Sequence, residues 1–149
     1  MNKWDKRFMD MAELVSTWTS CAREGRAIGA IIVKDKRILT TGYNGAPSGI
    51  LTCRDKGYCM RDRLGIKSGT CAERCYAVHA EQNAITQAAK LGVSVDGATL
   101  YCTHQPCTIC TRIIINSGIT RVVYKNPYPD EFSMQLFEEA GILVEKFDE

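Results

Sequence analysis

Val78-His79-Ala80-Glu81-Gln82-Asn83-Ala84 and Pro106-Cys107-Thr108-Ile109-Cys110 are the two stretches on which the reading of this chain turns. The 27 residues between His79 and Cys107 read as a helix, a strand and the entry to a second helix. Ala80, Ala84, Ala88 and Leu91 recur at helical spacing and Gly92 stops them, giving a helix over His79 to Leu91 with a small-residue packing face. Ala98-Thr99-Leu100-Tyr101-Cys102-Thr103 reads as a strand, and Pro106 suits the first position of the next helix. This order brings two helix N-termini to one point, where the positive ends of the helix dipoles favour thiolates and hydroxide.

The side chains gathered there have a chemistry. His79, Cys107 and Cys110 supply one imidazole and two thiols, the ligand set of a catalytic zinc site whose fourth position is left to water. Cys107 and Cys110 stand three apart, on one helical face. Glu81, two residues after the histidine and not itself a ligand, is placed to carry protons beside the metal. Either half of the pattern is weak alone: His-x-Glu arises by chance, and Pro-Cys-x-x-Cys also begins zinc ribbons and redox dithiols. Together they point to metal-assisted hydrolysis.

Composition bounds the rest. The 149 residues, 45% apolar and 24% charged, suit one soluble domain over 1–149 that buries its core without disulfides. A net charge of +2 from dispersed Lys and Arg leaves no footprint for duplex nucleic acid or a membrane surface. No apolar run reaches signal-peptide or membrane-span length, so the expected compartment is the cytoplasm. Eight cysteines in such a chain suggest metal binding or free thiols more than disulfides.

Outward from the two motifs, Trp4, Phe8, Met11, Val15 and Trp18 predict an amphipathic helix from Asp5 to about Glu24, stopped by Gly25, with both tryptophans in the core. The apolar run 27–33 and the segment 37–43 flank Lys34-Asp35-Lys36 and predict a hairpin, the first strand buried on both faces. Gly42 to Gly49 forms a glycine-rich loop in which exposed amides and Asn44 could meet a ligand. From about 50 to 76 the periodicity lapses and Cys53, Cys59, Cys71 and Cys75 appear. With Cys21 they suggest a second, structural zinc, with free thiols or a disulfide as alternatives. After the Cys107 helix, which ends near Gly118, come a strand at Arg121–Tyr124, a helix over Asp130–Ala140 with Phe132, Leu136 and Phe137, and a last strand at Gly141–Val144. His104 is either hydrogen-bonded structure or a neighbour of the metal ligands.

His-x-Glu followed by Pro-Cys-x-x-Cys is the signature of zinc-dependent nucleobase deaminases. With Gly42-Tyr43-Asn44-Gly45, the Cys-containing insertion through Ser68-Gly69, His79 to Ile85 and Tyr101 to Cys107, the chain resembles the cytidine/deoxycytidylate deaminase family, specifically its deoxycytidylate branch, over nearly its whole length. The resemblance implies a three-layer α/β/α sandwich around a five-stranded mixed sheet. It implies hydrolysis of dCMP to dUMP and ammonia, which feeds thymidylate synthesis, and a homo-oligomer, often a hexamer, regulated by dCTP and dTTP. Glu81 is then the catalytic acid-base. Asn44, Gly45, Ala80, Tyr124, Tyr128 and Arg26 are the expected substrate contacts. One departure is that Cys21 and Arg23 lie farther from Gly29 than is usual in the family.

Two other readings compete. A tRNA adenosine or guanine deaminase shares the one-histidine, two-cysteine site, though the insertion and the lack of a concentrated basic surface speak against tRNA. A zinc-stapled interaction module without catalysis would leave Glu81 incidental.

Overall fold

β1 (Gly29–Lys34) lies inside the sheet and is buried along all but its last residue, as its unbroken apolar run requires. The computed structural model describes residues 1–67, 70–71 and 74–149, so Ser68 and Gly69 of the family likeness lie outside the described residues. β1 turns into β2 (Arg37–Tyr43) through Asp35 and Lys36, both at positive φ (52° and 60°), the two-residue geometry whose twist matches paired strands. The sheet has the order β2-β1-β3-β4-β5, with β3 (Thr99–His104), β4 (Arg121–Asn126) and β5 (Leu143–Lys146). β1 runs antiparallel to β2 and β3, while β3, β4 and β5 are parallel, so the sheet is mixed.

Alternation sorts the strand residues into two cores. Ile31, Tyr101 and Val123, joined by register, face α1 (Lys3–Ser16) through Phe8, Met9, Ala12 and Val15. Ile32, Leu100 and Val122 form the matching row on the other face, under α4 (Ala80–Leu91), α5 (Thr108–Asn116) and α6 (Glu131–Glu139). The result is the three-layer α/β/α arrangement, with each buried aliphatic or aromatic side chain contributing about 1.5–3 kcal/mol.

Several expectations need correction. α1 stops at Ser16, not Glu24: the Ser16 and Thr17 hydroxyls bond back to Glu13 and Leu14 carbonyls, and the chain leaves to pair Ser20 with Asn44. Its buried stripe is Phe8, Met9, Ala12 and Val15, so Met11 and Trp18 are exposed, Trp18 resting edge-on against Tyr43. Leu91 and Phe132 are exposed as well, because the helical faces that meet the sheet are carried by Ala80, Ala84 and Ala88 in α4 and by Phe137 in α6. The insertion contains two four-residue helices, α2 (Cys53–Lys56) and α3 (Met60–Arg63). Among the described residues no helix is long and apolar enough to cross a membrane.

Candidate active site and metal centre

The site lies where α4 and α5 begin, α5 leaving the C-terminal end of β3, the end of a parallel strand at which α/β proteins bind ligands. His79 is the residue before α4. Gly45 pairs with Val78 in both directions, the Gly45 amide on the Val78 carbonyl at 3.2 Å and the Val78 amide on the Gly45 carbonyl at 2.7 Å. The His79 amide then donates to Gln82 Oε1 at 2.9 Å, so both groups of the peptide entering His79 are held. Gly42 lets β2 lie against α4 directly, since a Cβ there would sit 2.1 Å from the Ala80 carbonyl oxygen.

Cys107 holds the equivalent place before α5, with Pro106 one residue outside the helix and not at its first position. The Pro106 carbonyl accepts the Ser133 hydroxyl at 2.8 Å, and the Cys107 carbonyl accepts the Thr111 amide and hydroxyl, each at 2.9 Å. Asp130, the residue capping α6, accepts the Thr108 amide and hydroxyl at 2.8 Å and the Ser133 amide at 2.9 Å. Gln105 completes the seam by donating to the Asp130 carbonyl at 3.2 Å. Sequence reading found Asp130 only as a helix start. Its grip on Thr108, 22 residues away, has no local signal.

The three donors converge. One ligand atom each from His79, Cys107 and Cys110 lies within 4.8 Å of the others. Nδ1 of His79 is 3.2 Å from Cys110 Sγ and 3.6 Å from Cys107 Sγ. Around a tetrahedral zinc the N to S edge is roughly 3.6 Å, so the donor set fits that ion and leaves its fourth corner open. The neighbouring Cys110 and His79 push Cys107 down to about 4 against the effect of burial. Cys107 and burial push Cys110 up, so the two thiols are shifted in opposite directions. His79 is raised by its bond to Cys107.

Glu81 is buried in the first turn of α4. Burial raises its carboxyl, opposed by the bond from Cys110 and the charge of His79. A carboxyl moved up from its ordinary range accepts and returns a proton more readily near neutral pH. Behind it, Cys102 is fully buried on β3 and kept as a thiol by burial and the Glu81 charge.

The other expected residues are dispersed around this centre. Asn44 is buried, its Oδ1 accepting the Ile28 amide at 2.9 Å and its Nδ2 donating to the Arg26 carbonyl at 2.5 Å. The amides expected to be exposed are partly consumed, Gly45 by Val78 and Ala46 by Ser20 Oγ at 3.1 Å. Ala80 is fully buried, Tyr124 packs against the α4 side of the core, and Tyr128 is largely exposed beyond β4. His104 is half-buried with Nδ1 3.0 Å from Thr103 Oγ1, and burial followed by the Arg26 charge lowers its pKa. Arg26 therefore lies within electrostatic reach of His104. It also lines a cavity of about 930 Å³ with Arg23, Tyr58, Cys59 and Arg63.

Of the five insertion-side cysteines, Cys53 is buried, Cys71 exposed, and the thiol of Cys21, raised by burial, feels Cys75, Cys59 and Cys53. Among the described residues only His79, Cys107 and Cys110 come to ligand spacing.

The family model for the cytidine and deoxycytidylate deaminase zinc-binding region matches residues 2–126. The chain belongs to this family. Within it, the chain is 40% identical to ComE operon protein 2 of Bacillus subtilis (strain 168), covering 97% of this chain and 71% of that protein. It is 41% identical to the deoxycytidylate deaminase of Mycobacterium phage D29, covering 81% and 93%. Among solved structures, the dCMP deaminase of cyanophage S-TIM5 in complex with dCMP and dUMP superposes with a TM-score of 0.80 at 34% identity, over 99% of each chain. That structure shares the overall fold of this chain.

Proposed function

We propose that this chain is a zinc-dependent deaminase that hydrolyses dCMP to dUMP and ammonia, supplying dUMP for thymidylate synthesis as a single cytoplasmic domain over 1–149. The observation that carries the reading is a buried carboxyl, Glu81, held against a one-imidazole, two-thiol donor set of zinc dimensions. Zinc bound there supplies a Lewis acid and lowers the pKa of water toward about 7. Glu81 takes a proton from the attacking water, passes one to N3 of the cytosine and gives the next to the departing amine. The C4–O bond forms first; the proton of the new C4 hydroxyl then passes through Glu81 to the amine as the C4–N bond breaks and the C4 carbonyl forms, so no oxidant or further cofactor is needed. His79, Cys107 and Cys110 stay fixed while Glu81 moves the protons.

For the nucleotide, the cavity beside Arg26 falls in the size range of small-molecule sites, and Arg26 and Arg63 line it together with Glu24 and the Arg23–Asp62 ion pair. Arg26 is assigned to the phosphate. Tyr124, Tyr128, Ala80 and the Asn44-Gly45 turn are assigned to the walls around base and sugar. Cys53, Cys59 and Cys75, with Cys21 or Cys71, are assigned to a second, structural zinc that would draw four of these sulfurs together, supported by the electrostatic influence of Cys75, Cys59 and Cys53 on Cys21. Regulation by dCTP and dTTP and assembly into a hexamer follow the family resemblance.

The test is ammonia release by the zinc-loaded protein from dCMP, CMP, deoxycytidine, dCTP, dAMP and guanine. A kcat/KM highest for dCMP supports the reading. Equal values for deoxycytidine and dCMP overturn the phosphate assignment, and no release from any compound favours a non-catalytic zinc module. Metal analysis of reduced protein should find two zinc ions per chain, and one would reject the second site. Unchanged dCMP saturation with dCTP or dTTP present would reject the regulatory reading.

A further inference from the structure

Asp130, Ser133 and Thr111 hold the two peptide planes that flank Cys107. The Pro106–Cys107 peptide is held through its carbonyl by the Ser133 hydroxyl at 2.8 Å. The Cys107–Thr108 peptide is held at both ends, its carbonyl by Thr111 and its N–H by Asp130 at 2.8 Å. Because each peptide is a rigid plane, fixing the two planes fixes φ and ψ of Cys107 and with them the direction of its Cα–Cβ bond. Cys107 needs this because it stands at the residue before the regular helix, whereas Cys110 lies inside α5 with helical backbone on both sides. One carboxylate also joins two helices, taking the Thr108 amide of α5 and the Ser133 amide of α6. Ser133 and Thr111 are fully buried with their hydroxyl oxygens 2.6 Å apart, so this side of the clamp lies away from solvent.

We propose that Asp130 is a positioning residue for the metal centre, acting through Thr108 and Ser133 to aim the Cys107 sulfur at the zinc position. The inference rests on the zinc assignment above. The Thr108 amide goes to Asp130 Oδ2 and the Ser133 amide to Oδ1, so an asparagine would set its NH2 group against one of these two N–H donors.

The test measures zinc affinity of the apo protein by competition with a chromogenic chelator, using zinc alone, beside kcat and KM for dCMP. Groups that orient metal ligands change affinity or rate by about 10- to 100-fold when removed. Asp130→Ala is expected to weaken zinc by that amount and to lower kcat with KM changed less than about threefold. Asp130→Asn, keeping one acceptor oxygen, falls between. Thr108→Val weakens zinc in the same direction, and Thr108→Ser, which restores the hydroxyl, returns the affinity. Zinc affinity within about twofold of wild type in folded Asp130→Ala overturns the proposal. So does a rise in KM at unchanged kcat. If Asp130→Ala does not fold, wild-type affinity in both Asp130→Asn and Thr108→Val overturns it. Wild-type protein that binds zinc but releases no ammonia from dCMP would sink the proposed function and leave the affinity comparison decisive for Asp130.

Discussion

Glu81 and His79 are separated by one residue, yet the fold gives them different work. His79 sits just before α4, where its ring turns toward Cys107 and Cys110, while Glu81 is one step inside the helix and buried. Removing the carboxyl without touching a ligand should separate chemistry from metal binding. Glu81→Ala is expected to keep zinc stoichiometry and lower kcat about 100- to 10,000-fold, the usual range for general acid-base help. Activity within a few-fold of wild type would end the assignment of Glu81. Cys107→Ser and Cys110→Ser are expected to lose zinc as well as rate, read by metal analysis on the purified variants.

The elements meet at glycines where backbone touches backbone. A Cβ on Gly42 would lie 2.1 Å from the Ala80 carbonyl oxygen and 2.6 Å from the Ala84 amide, and one on Gly29 would lie 2.1 Å from the Ala12 carbonyl oxygen. Neither neighbour is a side chain that can rotate away. Each glycine to alanine change therefore pushes a helix off the sheet and is expected to cost about 1–3 kcal/mol or more. The consequences differ by face: Gly42→Ala shifts the turn that carries His79 and Glu81 and should reduce zinc affinity, whereas Gly29→Ala shifts α1 on the opposite face and should not. Equal zinc affinities in the two variants would contradict this division, with urea unfolding supplying the stability comparison.

Across the whole molecule, two ties join distant parts of the chain. Asp5 of α1, almost fully buried, accepts from Tyr101 on β3 at 2.7 Å and Arg121 on β4 at 2.8 Å. Burial raises its carboxyl, but the bonds from Arg121, Tyr101 and the Asn2 amide outweigh it and leave the pKa lowered. A lowered native value means the stabilisation is present above the unfolded value near 3.9 and disappears as pH falls through the native one. Asp5→Asn, which leaves Arg121 without this partner, should cost about 3 kcal/mol at pH 7, and the gap to wild type should close below about pH 4. Urea unfolding at pH 7, 5 and 3 checks it. The second tie is the metal, which joins the N-termini of α4 and α5. Chelation should lower Tm by about 5–11 °C, from roughly 2.7 kcal/mol at a hundredfold excess over Kd. Hydrogen exchange should accelerate at the starts of α4 and α5 more than in α1.

Residue type and spacing pointed to the candidate ligand set, and motif and apolar patterning to the family and the order of the main elements. His79, Glu81, Cys107 and Cys110 declare themselves through residue type and spacing, and β1 and α4 through apolar patterns that local backbone geometry produces. The length of α1 and the exposure of Trp18 were not legible, because the spacing of apolar residues continues past the point where Ser16, Thr17 and the pairing with Asn44 end the helix. It took the packed molecule to show that the Gly45 amide supports Val78 before His79 and does not stand free, and that Asp130 reaches Thr108 across the α5–α6 seam. Those bonds join residues distant in the chain, and a hydrogen bond's partner is set by which elements pack together, a quantity that no window of sequence contains.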